Sequence, residues 1–291
     1  MPHCLISFGS NLGDRMQRIA MAGEMIAGAS LVESFQASRL FENPAIGGPS
    51  GQRPFLNGVA LLKTDATAKE VLSLLQETEL RLGRERAVRW DARSIDLDVV
   101  LYGDLQGCHP DLSVPHPRYT ARRFVLLPAC EVAAQWRDPR FHWSIAELRQ
   151  HIDAAVPSLA LVGGERTLRE SLCHELASRA KVRVFTDPAE PIEMEVWEPW
   201  VASFLPELPE PHSDRAAYPG VPRLVAQLQW TDPASRWPAT HQIGKSLYGW
   251  PEYRLEVDSP QWAVSELESA LQSLGCPLQA VTEDGLWYHQ S

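Results

Sequence analysis

No apolar run among the 291 residues approaches the ~18–20 that a helix needs to cross a bilayer. Residues Met1 to Ser7 carry no basic stretch ahead of their short apolar run, so they read as a first strand and not as an export signal. Cysteine is sparse: Cys4, Cys108, Cys130, Cys173 and Cys276 are odd in number, scattered and free of any CxxC. That pattern argues against a disulfide framework and against a zinc site, and reduced thiols fit a cytoplasmic location. Positive charge is also short, with 27 Lys+Arg against 37 Asp+Glu and a net charge of −10. A general nucleic-acid binder needs a basic footprint, so neither nucleic acid nor membrane is an expected partner. Repeats and low-complexity tracts are absent.

What is present suits a globular chain of two domains, 44% apolar and 22% charged. A boundary is expected near Val156-Pro157-Ser158, giving domains 1–157 and 158–291. The first carries 17 Lys+Arg and 18 Asp+Glu; the second carries 10 and 19 and is the acidic body. In the first, Leu5–Phe8 reads as a strand, Asp14 as the cap of a helix over Arg15–Ala27, and Leu31–Phe41 as extended chain. Asn43 to Gly51, rich in Pro and Gly, is a loop. Phe55–Leu62 resumes a strand, and Thr64 or Asp65 caps a helix ending near Leu82. Glu79 falls on that helix's apolar face, either paired inside, facing a site or reaching water at the stripe's edge. From Ser94 to Tyr102 the chain alternates, with Ile95, Leu97, Val99 and Leu101 on one side and Ser94, Asp96 and Asp98 on the other. Helices are expected over Ala121–Ala134 and Ile145–Ile152. The order β-α-β-β-α-β predicts an α+β domain with an antiparallel sheet, resembling a ferredoxin-like fold.

Two features carry chemistry. Asp96 and Asp98, two apart on a strand, project from one face and repel unless cations neutralise them. Magnesium takes carboxylates together with phosphate oxygens, and two such ions can hold a triphosphate; a solvated acidic pair is the plain alternative. Just upstream, Arg81, Arg84, Arg86, Arg89 and Arg93 fall within thirteen residues beside only Glu85 and Asp91. Guanidinium groups grip phosphate oxygens two at a time, whereas a solvated charge run is again the plain alternative. A basic loop feeding an acidic strand is what triphosphate binding calls for.

The stretch Arg84 to Asp98, RERAVRWDARSIDLD, resembles the signature of the 6-hydroxymethyl-7,8-dihydropterin pyrophosphokinases. Ser7–Asp14, Phe55-Leu56-Asn57 and Val114-Pro115-His116-Pro117 agree with that family in order, and the similarity covers about residues 1–157. The resemblance implies transfer of pyrophosphate from ATP to the pterin alcohol, with release of AMP, in folate biosynthesis. It implies two Mg2+ ions on Asp96 and Asp98, phosphate binding by Arg84, Arg93 and Arg122, and a mobile catalytic loop holding Arg89 and Trp90. Glu79, Ile95, Ser113 and His116 match positions near the nucleotide. Phe55 and Phe124 match the rings that sandwich the pterin, Asn57 the amide that reads its edge, and the backbone of Asn43, Pro44, Ala45 and Ile46 a further hydrogen-bonding wall. Many members carry Thr and Pro where Asn43 and Ala45 stand, and the arginine loop is one residue shorter than in some.

The second half has no motif of that strength. Leu159 to Leu168 has the strand–glycine–helix outline of a P-loop without GxxxxGK[ST], and Tyr253–Asp258 resembles the end of deoxynucleoside-kinase-like chains. A degenerate P-loop-like domain with a structural or regulatory role is expected. Seven of the ten tryptophans lie here, mostly as core or interface residues, and His241, Lys245 and Tyr248 lack metal spacing. Two other readings compete for the whole chain: a two-metal nucleotidyltransferase with a DxD palm, and a non-enzymatic ferredoxin-like interaction module.

Overall fold

The computed structural model describes residues 1–84, 93–109, 112–190, 192, 197–230 and 246–289. Its architecture is α+β. Strand β1 (His3–Ser10) is buried along both faces, and antiparallel partners β4 (Phe55–Lys63) and β5 (Asp96–Tyr102) flank it. Strands β2 (Ser34–Ala37) and β3 (Phe41–Asn43) pair with the far side of β4. Helices α1 (Arg15–Ala27) and α2 (Ala68–Arg81) cover one face, where Ile19, Ala22, Ile26, Val71 and Leu75 pack with Ile6, Phe8, Leu62 and Leu97. Asp14 caps α1 as expected, its carboxylate accepting from Gln17 N at 3.0 Å. Helix α2 starts later than expected, because Thr67 and Glu70 form a reciprocal capping box. Thr64 instead donates its buried hydroxyl to Leu31 O.

On the opposite face, α3 (Arg123–Ala133) and α4 (Ile145–Asp153) pack over the lower part of the sheet, with Val125 and Leu126 against Leu5, Val59 and Leu101. The upper part of that face carries Asp96 and Asp98. The expected alternation along β5 breaks at Val100, where the register with β1 shifts between Leu5 and Ile6. This bulge puts Leu101 in the α3 cluster, whereas Val99 belongs with α1 and α2.

A second, parallel sheet has the order β12-β11-β8-β10-β9. Its strands are β8 (Ser158–Val162), β9 (Arg183–Phe185), β10 (Trp200–Ala202), β11 (Leu224–Gln229) and β12 (Glu252–Glu256). Helices α5 (Arg166–Arg179) and α6 (Pro260–Leu274) cover it, and one apolar cluster runs from Leu5 and Val59 through α3 and α4 to Leu159, Trp250 and Leu267.

A division after residue 157 leaves the last segment on the wrong side. Strand β13 (Gln279–Ala280) pairs with β3, and Val281 N donates to Leu40 O at 2.8 Å. Trp287 then buries completely among Phe8, Tyr288 and α1, its indole N–H donating to Ser38 O at 2.7 Å. Gly23 admits it: a Cβ there would lie 2.6 Å from the indole. Trp200 and Trp250 are core residues as expected, but Trp197, Trp230 and Trp262 are exposed; Trp237, His241 and Lys245 lie outside the described residues. Tyr248 is borderline exposed. Cys4, Cys130, Cys173 and Cys276 are free thiols. Among the described residues, no helix is long and apolar enough to cross a membrane.

Candidate active site

Register across three strands assembles the site. Gly9 on β1 faces Asn57 on β4 and Asp96 on β5, and Ser7 one step along faces Val59 and Asp98. Paired residues of an antiparallel sheet share a face, so Phe55, Asn57, Gly9, Asp96 and Asp98 belong to one surface. Gly9 is its floor. A Cβ there would meet Asn57 Oδ1 at 3.1 Å, Asp96 Cβ at 3.8 Å and the Phe55 ring at 3.9 Å. Glycine in a strand interior marks such a close approach.

Guanidinium groups surround the two carboxylates. Arg84 Nη2 lies 2.9 Å from Asp96 Oδ1, and Arg93 Nη1 pairs with Asp96 Oδ2. Arg122 Nη1 reaches Asp98 Oδ2 at 3.2 Å, and His116 Nε2 stands 3.8 Å from the same oxygen. Burial, then Arg122 and Arg118, hold the His116 imidazole well below its ordinary pKa, so it is neutral near pH 7. Its Nδ1 accepts from Arg118 N at 3.1 Å, which leaves the proton on Nε2, toward Asp98. Ser113 is half-buried in the short strand β7 (Leu112–Val114), just before the cis Val114–Pro115 bond, with β6 (Gly107–His109) as its partner.

Glu79 turns inward. Its Oε1 accepts from Leu97 N, between the two aspartates, at 2.8 Å and also from Arg84. The carboxylate thus ties α2 to β5 and aims Arg84. Ile95 is fully buried in the α1/α2 core, so its side chain does not reach the site. Asn57 Nδ2 donates to Asn43 Oδ1 at 2.6 Å, and Asn43 Nδ2 to Pro44 O at 2.7 Å. Both amides are buried. Ile46 is half-buried; Pro44 and Ala45 line a cleft of about 450 Å³ that Ser265, Glu268 and Gln272 of α6 also line. Phe124 opens α3 beneath Arg122, whose guanidinium carbon lies 5.9 Å from its ring centre. Arg89 and Trp90 lie outside the described residues.

Sequence reasoning passed over Asn11, buried between the two functional loops. Its Nδ2 donates to Gln52 Oε1 at 2.9 Å, its Oδ1 accepts from Arg93 N at 2.7 Å, and its own N donates to Arg93 O at 3.0 Å. Its place in a Gly-Ser-Asn turn after a strand was the available signal. The described side chains hold no cluster of three or more His, Cys, Asp or Glu suited to a metal. Two carboxylates alone fit magnesium that arrives with phosphate oxygens and water better than a caged ion.

The family model for 7,8-dihydro-6-hydroxymethylpterin-pyrophosphokinase (HPPK) matches residues 5–134. Curated relatives named 2-amino-4-hydroxy-6-hydroxymethyldihydropteridine pyrophosphokinase agree. The protein of Synechocystis is 32% identical over 164 residues, which span 55% of this chain and 83% of that one. Those of Pseudomonas aeruginosa and Bacillus subtilis are 36% and 37% identical, over 46% and 45% of this chain and 82% and 77% of theirs. With the matched region holding the Asp96–Asp98 strand and the arginines that meet it, the chain belongs to the HPPK family.

Proposed function

We propose that the chain transfers pyrophosphate from ATP to 6-hydroxymethyl-7,8-dihydropterin, releasing AMP, as a step of folate biosynthesis. One observation carries the reading: Asp96 stands across Gly9 from Asn57 and Phe55, on the same face as Asp98. Acidic and heterocycle-reading groups therefore border one space, close enough for an alcohol on the ring to meet a phosphate held over the carboxylates. Magnesium entering with ATP would be held by Asp96 and Asp98 and would neutralise phosphate charge, consistent with the two-carboxylate set. The chain's own residues position. Arg84, Arg93 and Arg122, now paired with the carboxylates, are within reach of triphosphate oxygens. Neutral His116 offers an Nε2 proton, and Ser113 and Ile95 keep the places near the nucleotide that the resemblance implies. Phe55 and Phe124 stack the pterin, and Asn57 with the Asn43–Ile46 backbone hydrogen-bonds its edge. Such a transfer depends on alignment and charge neutralisation more than on a protein base. Arg89 and Trp90, outside the described residues, keep the catalytic role that the resemblance implies for them.

The order β5-β1-β4-β3, joined as β1-α1-β2-β3-β4-α2-β5 with β2 also on β4, supports a ferredoxin-like assignment for the pyrophosphokinase unit, 1–157 with its returning C-terminal segment. The parallel sheet and the Gly163-Gly164 turn before α5 support a P-loop-like outline for 158–275. There the Arg169 guanidinium donates to Gly163 O, Gly164 O and Ser203 O at 2.7–2.8 Å, so the turn offers carbonyls to an internal cation. That favours a structural or regulatory second unit over a second nucleotide site. The test is AMP release from Mg-ATP by purified chain with and without the hydroxymethyl-dihydropterin. Pterin-dependent AMP supports the proposal. Free pyrophosphate as product, or no AMP from folded protein, overturns it.

A further inference from the structure

The segment that carries His116 and Arg122 is held by the second sheet. Arg254 N on β12 donates to Pro117 O at 3.2 Å, and Thr120 Oγ1, fully buried, donates to Glu252 O at 2.6 Å. Between them the Arg118 side chain crosses the boundary. Its Nε lies 2.9 Å from Glu266 Oε2 on α6, and its Nη2 lies 3.5 Å from Glu256 Oε2. Glu266 is almost wholly buried, and the same oxygen accepts the Tyr253 hydroxyl at 2.9 Å. A buried carboxylate of this kind is costly unless matched, and it is matched by the guanidinium of Arg118, the residue whose backbone N–H donates to His116 Nδ1. Four residues further on, Arg122 N donates to Tyr119 O at 3.0 Å before its side chain reaches Asp98.

We propose that Glu266, through Arg118, is a positioning residue for the nucleotide end of the active site, so that the second unit builds part of the first unit's ATP subsite. The inference rests on the pyrophosphokinase reading above. Glu266 does not touch the reacting groups. It fixes Arg118, whose backbone sets both the place of His116 and the tautomer that turns Nε2–H toward Asp98. The pterin side is tied down separately, through Asn11, Asn43 and Asn57. Phe124, on the pterin side, is packed against the α3 core, so loosening Arg118 acts chiefly on the nucleotide.

The test uses the full chain and two substitutions, Glu266→Gln and Tyr253→Phe. Initial rates of AMP formation give KM for each substrate, and calorimetric titration with Mg-α,β-methylene-ATP gives nucleotide affinity without turnover. Losing the charge-assisted bond raises KM for ATP and the analogue Kd about tenfold in Glu266→Gln, and about threefold in Tyr253→Phe, with KM for the pterin within about twofold of wild type. Unchanged nucleotide constants in the folded variants overturn the proposal. So does a parallel rise of both KM values with a falling melting temperature, which is what a purely structural role produces. If Glu266→Gln does not fold, Tyr253→Phe decides by the same criteria. Should wild type make no AMP, the pyrophosphokinase reading fails, while analogue binding still decides the positioning claim.

Discussion

Replacing Trp287 with alanine tests whether the far end of the chain holds the first sheet together. The indole is 1% exposed and lies in edge contact with Phe8 at 5.4 Å and Tyr288 at 5.7 Å between ring centres. An aromatic side chain of this size buries ~150–250 Å², which at ~25 cal/mol per Å² amounts to roughly 4–6 kcal/mol. Loss of the bond to Ser38 O leaves a buried carbonyl with a weakened set of partners, a further ~1 kcal/mol. Relaxation around the hole recovers some of this, and large aromatic truncations in cores cost ~3–5 kcal/mol, so about 4 kcal/mol is expected. Because the described residues form two large sheets, a single denaturation midpoint would mix their transitions. Hydrogen exchange read by mass spectrometry resolves them: peptides from α1 and from residues 279–289 lose protection by about 4 kcal/mol, those from α5 by much less. Uniform loss across α1 and α5, or a change in α1 below about 1 kcal/mol, would refute the argument that Trp287 is a core residue of the first sheet.

Gly9→Val places branched carbons where Asn57 Oδ1 already stands 3.1 Å from a notional Cβ, and turnover falls at least about a hundredfold while melting changes little. AMP release and calorimetry read the two effects. Asp96→Asn removes the charge that Arg84 and Arg93 share and lowers kcat by roughly 10²–10³, measured at saturating Mg-ATP; a variant within tenfold of wild type contradicts the assigned role. His151 gives a pH dependence. Burial first, then Arg223, lowers its pKa to about 3, against 6.5 in the unfolded chain. The unfolded state therefore binds more protons below pH 6.5, so this contribution to stability is full above that pH and fades as pH falls toward 3. At pH 5 the loss is roughly 2 kcal/mol, and His151→Gln flattens that part of the curve in urea titrations from pH 7 to 5.

The carboxylate pair was readable because a strand's period of two needs only local residues, and Asp96 and Asp98 obey it. The period failed four residues past Asp96 because nothing at Val100, neither Gly nor Pro, marks a bulge; the cause is the pairing with β1, and its effect is to aim Val100 O at His116 N, 2.9 Å away. Thr64, Asp65 and Thr67 all resemble helix caps, and only Thr67 has a Glu three residues on. Trp200–Ala202 hid in a Pro-rich stretch because a fully buried three-residue parallel strand has no alternation to detect. Arg118 and Glu266 are ordinary charges in sequence, 148 positions apart, and their pairing exists only once both sheets have formed. Arg84 and Arg93 were marked by clustering, whereas Asn11 was a turn residue whose three bonds reach both loops.

The bond from Trp287 to Ser38 spans 249 positions. A ribosome delivers β1 to β5 long before it delivers the piece that covers α1 and Phe8, so these elements wait with an apolar surface bare until residue 287 has emerged. In the living cell this sheet is completed by a late segment, and chaperone demand should peak in the interval between translation of Tyr102 and translation of Trp287.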